Sequence, residues 1–93
     1  QFNIMDNFIK NNRLCVIYFT NKNFTELNTK IISLKKTLDK SNFLFIDTDK
    51  EINLIEKLNI KSVPLVHIYK NGKLIEEIFG SYTNICEIIC LHF

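Results

Sequence analysis

The chain has 93 residues, 46% of them hydrophobic, enough for one domain with a modest core and too few for two. Its twelve basic and ten acidic residues are spread along the chain and leave a formal net charge of +2, so there is no basic stripe for nucleic acid, and no apolar run reaches the ~20 residues of a membrane span. With no signal-peptide pattern and only Cys15, Cys86 and Cys90 to make a disulfide framework, the expectation is a cytoplasmic protein in a reducing compartment. The first residue is Gln1, which points to a piece of a longer protein in which residues 1–93 form one domain.

Apolar residues at Phe2, Met5, Phe8 and Ile9 follow helical spacing and predict a first helix that ends before Asn11-Asn12-Arg13. Leu14 to Phe19 is continuously apolar and β-rich, the pattern of a strand covered on both faces. Phe24, Leu27, Ile31, Leu34 and Leu38 recur every three or four residues and draw one apolar stripe along a second helix. Asn23 followed by Glu26 predicts the start of that helix, as an N-cap with its third-position partner. Phe43 to Ile46 reads as a second buried strand, and Asp49 as the cap of a short helix that turns Ile52, Ile55 and Leu58 inward.

A third strand, Leu65 to Tyr69, follows Ser62-Val63-Pro64, and Asn71-Gly72 predicts a two-residue hairpin into a fourth strand, Leu74 to Phe79. Glu76 and Glu77 mark that fourth strand as an edge. Gly80 and Ser81 end it and cap a last helix through Ile85, Ile88 and Ile89. The order combines a parallel β-α-β unit with an antiparallel hairpin. The fold class is therefore α/β, with a mixed central sheet of about four strands flanked by helices.

Candidate chemical groups are weighed against their structural roles. Cys15 lies within a buried strand, where a free cysteine behaves as a small hydrophobe. Cys86 and Cys90 share one face of the last helix, but Cβ atoms at that spacing lie ~5–6 Å apart against the ~3.8 Å of a disulfide. Even with His92 nearby, their spacing matches no zinc pattern, and packing of the helix on the sheet accounts for them. His67 reads as a hydrogen-bonded interior or edge residue, Asp47 and Asp49 as loop and capping groups, and Lys35, Lys36 and Lys40 as a solvent face. No metal site or cofactor is expected in this domain.

The order of elements, together with Ser62-Val63-Pro64-Leu65-Val66-His67-Ile68-Tyr69-Lys70-Asn71-Gly72-Lys73 and the later Gly80, resembles the thioredoxin family from about Phe2 to the C-terminus. The resemblance implies a thioredoxin-like fold, a cis Pro64, and a Val63 that offers its backbone to an extended peptide. It also implies that the helix start, the proline loop and the glycine after the last strand converge on one edge. That edge is a peptide groove of Lys22, Asn23, Phe24, Val63, Pro64 and Gly80. Within it Phe24 either anchors the edge or turns inward as the first residue of its helix stripe.

The departures from the family carry as much information. The strand-to-helix junction, Thr20-Asn21-Lys22-Asn23, contains no sulfur where the family has Cys-x-x-Cys, and the family's buried acid is replaced by Tyr18. With a two-residue deletion, Phe24-Thr25-Glu26-Leu27-Asn28 resembles the Cys-Ala-Gln-Met-Asn of the N-terminal thioredoxin-like domain of multidomain monothiol glutaredoxins. The expectation is thus a redox-inactive domain that docks a protein partner or positions a neighbouring glutaredoxin domain, in a protein linked to iron–sulfur and redox homeostasis. Two alternatives stand beside it: a thiol-disulfide oxidoreductase that uses Cys86 and Cys90 or an external thiol, and a phosducin-like chaperone cofactor. A Cys-Gly-Phe-Ser downstream of residue 93 would favour the first expectation, and a long acidic helix upstream the phosducin-like one.

Overall fold

Continuous apolarity at the start of the fold has a simple cause: the strand is covered on both faces. The computed structural model describes residues 2–80 and 84–93, with side chains from Ile4 onward. Its elements are α1 (Phe2–Asn11), β1 (Leu14–Thr20), α2 (Thr25–Thr37), a 3-10 turn (Lys40–Asn42), β2 (Phe43–Asp47), α3 (Ile52–Lys57), β3 (Leu65–Lys70), β4 (Lys73–Phe79) and α4 (Ile85–Cys90). The four strands form one sheet in the order β2-β1-β3-β4, with β1 and β2 parallel and the other pairs antiparallel.

Alternate residues of β1 feed two separate cores. Val16 and Tyr18 join Ile31 of α2 and Ile85 and Ile89 of α4 on one face. Ile17 and Phe19 join Met5 of α1 and Leu54 of α3 on the other. Helices thus cover both faces of the sheet, which is why β1, at its interior, is apolar at every position from Leu14 to Phe19. Among the described residues, no helix is long and apolar enough to cross a membrane.

The hairpin expected at Asn71-Gly72 forms, and both residues have positive φ, 53° and 82°, as the tight turn matched to strand twist requires. It delivers β4 to the edge of the sheet, where Glu76 and Glu77 each meet a histidine: His92 Nε2 lies 2.7 Å from Glu76 and His67 Nε2 lies 2.8 Å from Glu77. Cys15 is fully buried, its thiol directed at the carbonyls that end α1, the nearest being Asn12 O at 3.3 Å.

Three local expectations are corrected. Asn23 is not the cap of α2: Phe24 holds the cap position with no side-chain bond, and the Asn23 N–H is taken by Asn21 Oδ1 at 2.9 Å. Glu26 reaches Lys30 instead, at 3.7 Å. Asp49 does not cap α3 either; Glu51 stands at that position, while Asp47 builds the turn by accepting from the N–H groups of Asp49, Lys50 and Glu51. Ile52, expected to face inward, is 57% exposed, because the six-residue α3 turns Leu54 to the core, with Ile55 and Leu58 packed beside it. The cap expected at Ser81 lies outside the described residues.

Candidate functional site

The loop between β1 and α2 is held from below by one side chain. Asn28, on the first turn of α2, projects toward β1, where its Oδ1 accepts from Tyr18 Oη and from Thr20 Oγ1, each at 2.7 Å. Its Nδ2 donates to the Asn21 carbonyl at 2.8 Å. One amide therefore ties the end of β1, the loop and the helix together, using both acceptor positions of its oxygen. Tyr18 is fully buried and packs edge-on against Phe45. Burial pushes its phenol above the ordinary range, a hydrogen bond from Thr20 opposes that rise, and the nearby Cys86 thiol adds to it. A hydroxyl so placed is a fixed structural donor and no substitute for a proton-accepting carboxylate.

Above this network lies an open groove of about 990 Å³. One wall is the start of α2, from Asn23 through Phe24 and Leu27 to Lys30. The facing wall is Ser62-Val63-Pro64, and Phe79, Gly80, Ile85 and Cys86 close the end. The Val63–Pro64 peptide bond is cis. The Gly80 N–H donates to the Pro64 carbonyl at 2.8 Å, so the proline loop is stitched to the end of β4. Glycine is required there: a Cβ on residue 80 would stand 2.6 Å from Pro64 Cγ and 2.9 Å from Pro64 Cβ.

Five of the six residues expected at this edge, Asn23, Phe24, Val63, Pro64 and Gly80, line the groove, and Lys22 lies just outside its lining. Phe24 is half-buried and belongs to the groove wall, Leu27 both lines the groove and packs against the core, and Ile31, Leu34 and Leu38 of the same stripe pack into the core.

Cys86 packs beside the core, as its place on the last helix predicts, and it also lines the groove. The signal for this could have been its place one residue after Ile85, at the helix end nearest Gly80. Burial pushes its thiol up, the neighbouring Cys90 adds to that, and Lys30 opposes it. Cys90 is exposed on the next turn, and all three cysteines are free thiols. His67 belongs to the opposite face of the sheet, against the Phe19 ring, and takes no part in the groove; its Nδ1 is buried without a hydrogen-bond partner. Among the described residues, no group of three or more His, Cys, Asp or Glu side chains is arranged to hold a metal ion.

No protein-family model matches the chain. Thioredoxin 1 of Plasmodium falciparum is 37% identical to it over 46 residues, 50% of this chain and 44% of that protein. An uncharacterized protein of Schizosaccharomyces pombe is 37% identical over 51 residues, 54% of this chain and 7% of that protein. The chain thus spans less than half the length of either curated relative. Among solved structures, the oxidised thioredoxin of Plasmodium falciparum superposes with a TM-score of 0.79 at 24% identity, covering 97% of this chain and 89% of that one. Mitochondrial thioredoxin 3 of Saccharomyces cerevisiae does so with a TM-score of 0.82 at 20% identity, covering 99% and 90%. The chain has a thioredoxin-like α/β fold, with a mixed four-stranded sheet flanked by helices.

Proposed function

We propose that this domain docks proteins and does not exchange disulfides, in the manner of the thioredoxin-like domain of a multidomain monothiol glutaredoxin. The observation that carries the reading is the groove itself: it is open and apolar, and Phe24 lines it at the helix start where a nucleophilic thiol would be needed. Thiolate attack and its resolution each require a sulfur, and residues 20–24 have none. The cis-proline loop leaves Val63 beside the groove, able to pair its backbone with an extended segment by strand addition. Any iron–sulfur chemistry would belong to neighbouring domains, and this one would supply targeting.

A second reading, thiol–disulfide exchange through Cys86, is favoured by that residue lining the same groove. Its raised thiol works against it, since burial leaves little thiolate at neutral pH.

Two measurements test the proposal. Dithiothreitol-driven reduction of insulin is expected to proceed at the same rate with and without the domain; an acceleration abolished by Cys86→Ser would replace docking by the second reading. Phe24→Ser is expected to lose protein partners that Lys36→Ser, on the exposed face of α2, retains. Thermal melts of both variants must show the fold intact, and partners retained by folded Phe24→Ser would exclude a role for the groove.

A further inference from the structure

Two thiols stand on α4 that the docking role leaves unused. The helix turns Ile85 and Ile89 into the core. Cys86 and Cys90 each follow one of these residues, so they form the neighbouring row, about 100° round the helix and one turn apart from each other. Cys86 is half-buried and Cys90 exposed, both are free thiols, and Cys86 feels the charge of Cys90. Thiols placed this way do not close on one another while the helix is intact, because their Cβ atoms lie ~5–6 Å apart, against the ~3.8 Å of a disulfide. The same separation suits an ion held between them. With metal–sulfur bonds of ~2.3 Å, as in zinc thiolates, a two-coordinate ion spreads its sulfurs up to ~4.6 Å, within reach of rotation about χ1 from Cβ atoms ~5–6 Å apart.

We propose that Cys86 and Cys90 form a Cu(I) site on the flank of α4, with one ion per chain held between two thiolates. The choice of ion follows from the ligands that are missing. Structural zinc takes four ligands, and the nearest further candidate, His92, has its Nε2 2.7 Å from Glu76. Among the described residues no third His, Cys, Asp or Glu side chain joins the pair. Hard cations require oxygen ligands, whereas thiolates alone select a soft ion. Binding releases both thiol protons to solvent and leaves one copper cation with two thiolates, a net charge of one negative. Lys30 supplies the opposing charge: it lines the groove with Cys86, its ammonium acts on that thiol, and its 3.7 Å pairing with Glu26 is exposed and weak. Burial that keeps Cys86 protonated hinders disulfide exchange, but a coordinated ion displaces the proton outright. The site is independent of the docking role, and either can fail without the other.

The reduced protein, with oxygen excluded, is titrated against the coloured complex of Cu(I) with bicinchoninate. It is expected to withdraw one Cu(I) per chain without a change in elution volume on size-exclusion chromatography. Cys86→Ser and Cys90→Ser should each weaken binding by more than the roughly 10–100-fold that loss of an outer-shell partner costs. Cys90 is exposed, so its replacement leaves the fold intact. Cys90→Ser/Leu91→Cys keeps the number of thiols but moves one of them a residue along, about 100° further round, at a position that is 84% exposed; it should bind no better than Cys90→Ser. Bound Cu(I) should also protect Cys86 and Cys90 together from alkylation by iodoacetamide, followed residue by residue by mass spectrometry, whereas Cys15 is buried and reacts only on unfolding. Failure to withdraw copper, or tight binding that survives either serine variant or the shifted pair, would overturn the site. One ion per two chains with earlier elution would overturn it too, since exposed Cys90 alone would then bridge two molecules.

Discussion

Replacing Asn28 by alanine is expected to destabilise the domain by about 3 kcal/mol and lower its melting temperature by roughly 12–24 °C. The change removes the acceptor shared by Tyr18 Oη and Thr20 Oγ1 and the donor to the Asn21 carbonyl. A buried hydroxyl left without a partner costs about 1–3 kcal/mol, and Tyr18 has no access to water that could replace the lost bond. Thr20 can turn toward the Asn21 carbonyl, 3.4 Å away, so its loss is the smaller one. Tyr18→Phe should cost about 1 kcal/mol, since the ring still packs on Phe45 and only the hydroxyl is gone. Combined with Asn28→Ala it should cost less than the sum of the two, because the same bond is deleted twice. Strict additivity in thermal melts of the four proteins would show that the two side chains do not share that bond in solution.

That network also explains what could be read from the residues and what could not. The strands were legible because their pattern is dictated by coverage: Leu14 to Phe19 had to be buried on both faces, and Asn71-Gly72 had few alternatives to a hairpin. The start of α2 was harder. Asn21 and Asn23 are both competent to cap a helix, and short-range spacing favoured Asn23 with Glu26. The choice is made by Asn28, whose side chain holds the Asn21 carbonyl while Asn21 Oδ1 takes the Asn23 N–H. An Asn on the stripe of Leu27 and Ile31 was the available signal, since a polar side chain there must find partners across the core.

The candidate site shows the same division. The convergence of Phe24, Val63, Pro64 and Gly80 came from resemblance to a family, because residues forty positions apart cannot be brought together by periodicity. The entry of Cys86 into the groove depends on where α4 begins: its cap position is held by Asn84, whereas the sequence marker pointed to Ser81, and such a difference rotates every side chain of the helix by about 100° per residue. Spacing alone turns Ile52 inward, yet a helix of six residues has too few turns to hold a long stripe, and Leu54 takes the core position.

Gly80→Ala provides the second large effect, and it connects stability to the groove. No positive φ is involved at this residue, so alanine suits the backbone and would ordinarily stabilise by about 0.4–1 kcal/mol through the unfolded chain. The added methyl would instead stand 2.6, 2.9 and 3.1 Å from Cγ, Cβ and Cδ of Pro64. A proline ring has no rotamer by which to withdraw, and the 2.8 Å bond from Gly80 N to Pro64 O holds the two segments together. Overpacking costs about 1–3 kcal/mol, and contacts this short against a rigid ring belong to the upper part of that range, so a net loss of about 1–2.5 kcal/mol remains after the entropic gain and should lower the melting temperature by roughly 4–20 °C. Gly72→Ala is the informative comparison: its φ of 82° carries strain, but nothing lies within 4 Å of its Cβ position, so its effect should stay in the hairpin. Only Gly80→Ala should also change the alkylation rate of Cys86, because relief of the clash must move Pro64 or Gly80, both of which line the groove with that thiol. A melting temperature equal to or above that of the parent, with Cys86 reacting at its original rate, would mean that the two segments are not in close contact and that the groove wall is built differently.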